Sequence, residues 1–403
     1  MQPRTFAGIG LAAVIVAGGV FAGAHLGQSR QMTGPPPVGG QTAIPPELPR
    51  TVTATASAAP LPPGCPDPAQ VSRMPLRDKL AQLLMVGVAD ESDARSAATE
   101  YRVGGVFITS WTDLTMLTSG ALTELATSTT PLPLMVSVDE EGGRVSRLST
   151  LIGPSPSARV LTRTRTPEQV YQLARERGAQ MRALGINIDF APVADVTSAP
   201  DDTVIGDRSF SDDPATVTRY AGAYARGLRD AGILPVLKHF PGHGRASGDS
   251  HLSGVVTPPL EQLLLSDLAP FRELVADKPV GVMIGHMQVP GLTGNDQASL
   301  SRAAVSLLRN GSGYNAPPFD GPIFTDDLST MKAITDRYSV PEAVLKALQA
   351  GADVALWVST AEVPAVLDRL EAATRTGELD VGGVEASLQR ITAAKSPLAG
   401  CFR

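Results

Sequence analysis

"LLMVGVADESDA", residues 83–94, runs from a short apolar stretch directly into polar residues suited to start a helix. A continuous apolar run of this length fits a strand buried on both faces, the condition of a parallel sheet covered by helices. In an open doubly wound sheet the first strand-to-helix turn would carry a glycine fingerprint for a nucleotide phosphate, and none stands here. A closed barrel instead requires the same theme to recur. It does so in "GGVFIT" (104–109), "LMVSVD" (134–139), "INIDF" (186–190), "LPVLKH" (234–239), "GVMIGH" (281–286), "PIFTDD" (322–327) and "DVALWV" (353–358). Amphipathic stretches lie between them, such as "TPEQVYQLARERGAQMRALG" (166–185), where Val170, Leu173, Ala174, Met181 and Leu184 share one face. The expected fold is α/β, a (β/α)8 TIM barrel forming a single catalytic domain over residues 65–403.

The residues ahead of that domain divide in two. Residues 1–27 place Arg4 before an apolar run from Phe6 to Ala24, which reads as a signal peptide or a membrane anchor. Residues 28–64 are rich in Pro, Gly, Thr and Ala without apolar periodicity and read as a linker. The expectation is an exported protein of the cell envelope or the extracellular space, either released or anchored through residues 6–24. In such a setting Cys65 and Cys401, the chain's two cysteines, would close domain start to domain end if bonded, worth about 4 kcal/mol in the chain-entropy model; two free thiols are the alternative. A net charge of −6 without a basic run argues against a nucleic-acid partner. The expected partner is a small or oligosaccharide substrate, and the expected state a monomer.

In a barrel the site is built where strands end. Those positions hold Asp139, Asp195, Lys238, His239, His286 and the pair Asp326–Asp327. "VDEEGGRVSRL" (138–148) follows Asp139 with Arg144 and Arg147, whose forks suit sugar hydroxyls or, alternatively, pair with Asp139. "GDRSF" (206–210) presents Arg208, again either to substrate or to loop carbonyls. Lys238 and His239 are adjacent and would point to opposite sides of an extended strand unless the chain bends there.

"LKHFPGHGRASGDSHLSGVV" (237–256) holds three of the five histidines. His239 and His243 have i, i+4 spacing, but Pro241, Gly242 and Gly244 break the helix that a zinc motif of this spacing needs. No metal or cofactor is expected. "PGHGRASG" is neither a Walker A nor a dinucleotide motif. What remains is "GDSH": Asp249 stands two residues before His251, close enough to fix its tautomer and leave the other nitrogen free for proton transfer. Asp326, ending an apolar strand, is the place for a carboxylate nucleophile, and a nucleophile with a separate proton shuttle equips a site for double displacement at an acetal carbon.

The stretches "DEEGGRVSRL", "NIDFAPVADV", "GDRSFSDD", "KHFPGHGRASGDSHL" and "FTDDLSTM", in this order, resemble family 3 glycoside hydrolases, specifically the single-domain NagZ-type β-N-acetylglucosaminidases. The likeness runs from about residue 70 to about residue 360. It implies that Asp326 is the nucleophile, that His251 with Asp249 is the acid/base dyad on a mobile loop, and that Asp139, Arg147, Arg208, Lys238 and His239 hold the sugar. Glu140 departs from the family pattern, in which many relatives carry glutamine, and the N-terminal segments depart from the cytoplasmic members. The resemblance implies a retaining exo-β-N-acetylglucosaminidase acting on terminal β-linked GlcNAc of peptidoglycan fragments through a glycosyl-Asp intermediate. Its rivals are a phosphorylase or β-glucosidase of the same family, and an inactive wall-binding barrel.

Overall fold

The computed structural model describes residues 65, 68–128 and 132–398. The expected leader or anchor (1–27), the linker (28–64) and Cys401 lie outside them. Cys65 is held in a disulfide.

Eight parallel strands form the barrel: β1 (Leu84–Val88), β2 (Gly105–Ile108), β3 (Met135–Val138), β4 (Ile188–Asp189), β5 (Leu234–Phe240), β6 (Gly281–Ile284), β7 (Ile323–Thr325) and β8 (Ala355–Trp357). Seven fall within one of the eight apolar runs, and β5 covers its run and extends one residue beyond it, to Phe240. The hydrogen-bonded order is β7-β6-β5-β4-β3-β2-β1-β8. The ring closes where Phe324 bridges Val354 and Thr325 N–H donates to the Val354 carbonyl at 3.0 Å. β4 is shorter than its run because Pro192, just beyond it, has no amide to donate, so the ladder thins to one bridge, Val193 opposite Lys238.

Every residue of the eight strands is buried, as a barrel covered by helices demands. Inside the ring, Phe190 packs against Phe107 and Phe324 at centroid distances of 5.6 and 5.5 Å. Outside it, the helix Pro167–Ala183 starts with a capping box between Thr166 and Gln169, and the helix Pro214–Asp230 is capped by Asp213. The two approach so closely that a Cβ on Gly227 would sit 2.4 Å from the Tyr171 carbonyl oxygen. They lead into β4 and β5 and so fix the strands that carry much of the site.

At the opposite end, the helix Val381–Leu398 sends Lys395 under the barrel floor, where its Nζ donates to Gln82 Oε1 at 2.9 Å and the Gly104 carbonyl at 3.0 Å. Lys395 is 1% exposed. Burial brings its pKa down to about 7.

Candidate active site

Asp326 leaves the end of β7, its backbone N–H donating to the Ile284 carbonyl of β6. Its side chain lines the cavity at the barrel mouth. Burial alone would raise this carboxyl, but His239, His286, the Asp327 N–H and Lys238 outweigh it and bring the pKa down to about 2. Asp326 is therefore an ionised carboxylate at any physiological pH. Its neighbour is spent differently: Asp327 accepts from the N–H and Oγ of Ser329 and from the N–H and Oγ1 of Thr330, closing the turn after the strand. Beneath them His286 has both ring nitrogens within 2.7 Å of partners, Ser299 Oγ and the Asp327 carbonyl, which makes it a buried prop of that turn.

β5 changes register against β6 between Leu237 and Phe240, and the peptide between Lys238 and His239 is cis. The register change re-aims side chains, and Lys238 and His239 both line the mouth cavity. Lys238 Nζ lies 2.6 Å from Asp139 and 2.6 Å from Glu141. Glu141 in turn takes the fork of Arg208, each contact at 2.8 Å. Arg208 thus bonds the Val204 carbonyl as a loop arginine would, and also reaches the site. Burial would raise the Glu141 carboxyl, but Arg208 and Lys238 hold it far below the usual carboxylate range. Asp139 and Glu141 outweigh the burial that would lower Lys238, so the lysine stays charged. His239 rests its Nδ1 on Asp195, 2.7 Å away and wholly buried.

Asp139 pairs with Lys238, so neither nearby arginine is occupied by it. Arg144 instead binds Asp207 and carbonyls of the 203–205 loop. Arg147 lines the cavity, and its Nε is buried without a hydrogen-bond partner. The strand turn carrying it is pinned by Glu140, whose carboxylate accepts the N–H groups of Arg147 and Leu148 and pairs with Arg177 at 2.5 Å. That contact accounts for a charged residue at the position where the family pattern has glutamine: a cation on the helix Pro167–Ala183 meets it.

The loop after β5 is anchored at its base and open at its tip. A Cβ on Gly244 would lie 2.2 Å from the Val196 carbonyl oxygen, and Arg245 pairs with the buried Asp267 at 2.5 Å. The His243 N–H donates to Asp195, and His243 Nε2 reaches Ser250 Oγ at 3.2 Å. Beyond that latch, His251 Nδ1 sits 2.7 Å from Asp249 Oδ1, with the two side chains 56% and 34% exposed. Partial burial would raise Asp249, but the His251 N–H and ring outweigh it. His251 lines the cavity with Asp326.

All eight site residues expected from the sequence therefore line one mouth, in a cavity of about 320 Å³. Glu141 was not among them, although it binds two of the expected residues. Its signal was the second glutamate of "DEEGG", but a carboxylate followed by glycines reads equally well as a turn. In the sequence His243 shows only the spacing of a possible metal ligand, and Ser250 carries no local signal.

An ionised strand-end carboxylate and a His/Asp pair on one barrel mouth coincide with a match to the Glycosyl hydrolase family 3 N terminal domain over residues 75–394. The chain belongs to glycoside hydrolase family 3. As a family 3 member it is a glycoside hydrolase on a TIM barrel. It is 65% identical over 352 residues to "Beta-hexosaminidase LpqI" of Mycobacterium tuberculosis, covering 87% of this chain and 90% of that protein. A family 3 glycosyl hydrolase structure from Mycobacterium smegmatis superposes with a TM-score of 0.80 at 65% identity, covering 81% of this chain and 98% of that one. A family 3 β-N-acetylglucosaminidase from Paenibacillus gives a TM-score of 0.74 at 34% identity, covering 81% of this chain and 63% of that one.

Proposed function

We propose that the chain is a retaining exo-β-N-acetylglucosaminidase that removes terminal β-linked GlcNAc from peptidoglycan fragments. The observation that carries the retaining mechanism is the unequal use of the two adjacent carboxylates. Asp326 is ionised and faces the cavity, while Asp327 is consumed by the turn. Attack by the substrate's own acetamido group would prefer two acidic residues to support it, and here only one is free to face the sugar.

In the first step an Asp326 oxygen forms a bond to the anomeric carbon while the glycosidic C–O bond breaks. The bonding pair leaves with the aglycone oxygen, which takes a proton from His251. In the second step neutral His251 removes a proton from water, the water oxygen bonds to the anomeric carbon, and the Asp326 carboxylate departs. Asp249 orients the imidazole and stabilises its charged form. Asp139, Lys238, Arg147 and Arg208 supply the acceptor and donors for the sugar hydroxyls, and His239 completes that wall. The similar proteins named β-hexosaminidase support the GlcNAc specificity. The apolar run Phe6–Ala24 supports action outside the cytoplasm, which cell fractionation tests directly.

A slow 5-fluoro GlcNAc-type inactivator should leave its sugar on Asp326, read by mass spectrometry of peptides. Turnover without any Asp326 adduct would sink the covalent route. Release of 1-phospho sugar in phosphate buffer, in place of free GlcNAc, would assign the chain to phosphorolysis, which a neutral imidazole acid/base would tolerate better than a carboxylate. Faster cleavage of β-glucosides than of β-GlcNAc glycosides would overturn the specificity.

A further inference from the structure

A second cavity, about 230 Å³, adjoins the first and shares Asp326, Arg147 and His251 with it. Its outer lip is Trp111. The chain's other tryptophan, Trp357 of β8, is wholly buried, as a barrel strand residue should be; Trp111 is 53% exposed. An indole with about half its surface left in water at a polar cavity mouth forgoes much of what burial would contribute in the folded chain. Nor is its loop slack. Thr112 Oγ1 donates to the Val88 carbonyl of β1 at 2.7 Å, the Thr109 N–H donates to Thr112 Oγ1 at 2.9 Å, and the Trp111 N–H donates to Thr109 Oγ1 at 3.3 Å. The Asp113 N–H is fixed to the Ala89 carbonyl at 2.8 Å. A hydrogen-bonded backbone thus holds a half-exposed indole on the cavity that His251 also lines.

From these observations we infer that Trp111 is a platform for the saccharide on the leaving-group side of the scissile bond, and so a specificity-determining residue for chains over small aglycones. The C–H groups along one face of a pyranose carry slight positive charge and are apolar, and the indole face is electron-rich and apolar, so the two pack together. The sugar that is cleaved off lies deeper, on the charged wall of Asp139, Lys238 and Arg208; its neighbour must emerge past His251, where Trp111 stands. The inference rests on the proposed placement of the scissile bond between Asp326 and His251, and not on which atom attacks.

Two measurements test it. Because Trp357 is buried, acrylamide quenching of fluorescence reports on Trp111. In an Asp326→Asn protein, a β-1,4-linked GlcNAc disaccharide should protect Trp111 from quenching and GlcNAc alone should not. Equal protection by the monosaccharide, or none by the disaccharide, would overturn the platform. In the active enzyme, Trp111→Ala should lower kcat/KM for that disaccharide about 10-fold more than for trifluoroethyl β-GlcNAc, the scale of one lost apolar contact, with Trp111→Phe recovering most of it. An unchanged ratio would contradict the inference, and since Trp111 is exposed the variant's fold is not at stake. If the ratio shifts while Asp326 takes no adduct, the platform stands and the nucleophile assignment falls.

Discussion

At the scale of single residues the site separates two tasks by environment. Asp326 lines the cavity beside His239, His286, Lys238 and the Asp327 N–H, with a pKa of about 2, whereas His251 stands half in solvent on a loop. A depressed carboxyl is protonated only below its folded pKa. With a fluoride leaving group, which needs no acid, glycosylation of Asp326 should therefore stay level as pH falls from neutrality to about 4, where an ordinary carboxylate would already be half protonated. A labelling rate that falls through pH 5 would show the nucleophile to be less stabilised than the structure requires. General acid catalysis contributes about 10²- to 10⁴-fold, and most of it is needed when the leaving group is poor. His251→Ala should accordingly suppress cleavage of sugar aglycones far more than of nitrophenyl ones, with Asp249→Asn in between. Losses independent of leaving-group pKa, measured across a series of aryl glycosides, would reduce His251 to a loop support.

Among elements, the short hairpin formed by Glu140–Gly142 and Val145–Ser146 organises most of the binding wall, because Glu141 on it ties Arg208 and Lys238 together. Glu141→Gln leaves two buried cations with one anion fewer, a change that costs on the order of 3 kcal/mol when a buried pair is broken. Its kinetic signature should differ from that of His251: kcat/KM should fall alike for good and poor leaving groups, with the stability loss read from urea unfolding. Leaving-group-dependent loss would place Glu141 in proton transfer instead. The strands and the residues at their ends were legible in the sequence because continuous apolar runs mark buried strands and ionisable groups just after them face the mouth. Glu141 was not, since its importance lies in contacts with residues 67 and 97 positions away, which no local pattern encodes. Nor did alternation along β5 foretell that adjacent Lys238 and His239 would share one cavity; the register change does that, and sequence periodicity has no symbol for it. Arg177 as the counter-charge to Glu140 was equally invisible, being one arginine among several on an amphipathic helix.

For the whole molecule the floor of the barrel bears on stability as its mouth bears on chemistry. Lys395, with a folded pKa of about 7, is neutral in the native chain at a pH where the unfolded chain still binds a proton. The unfolded state thus holds the extra proton between about pH 7 and 10, so stability from this site rises with pH at about 1.4 kcal/mol per unit across that window and is flat below it. Unfolding free energies at about pH 7.5 and 9.5 should diverge by about 2–3 kcal/mol in wild type relative to Lys395→Met; parallel behaviour of the two proteins would show that the amine stays charged in place. Peptide mapping without reductant should find Cys65 joined to Cys401, since the chain has no third cysteine. The seam of the ring has a further meaning. β7 is fully laddered to β6 but meets the segment before β8 through a single bridge, and Asp326 follows directly on it. The amides of Thr325 and Leu328, which donate across that seam to Val354 and Leu356, are therefore local clocks: their hydrogen-exchange rates time how often the stave that ends in Asp326 parts from its neighbour, separately from unfolding of the rest.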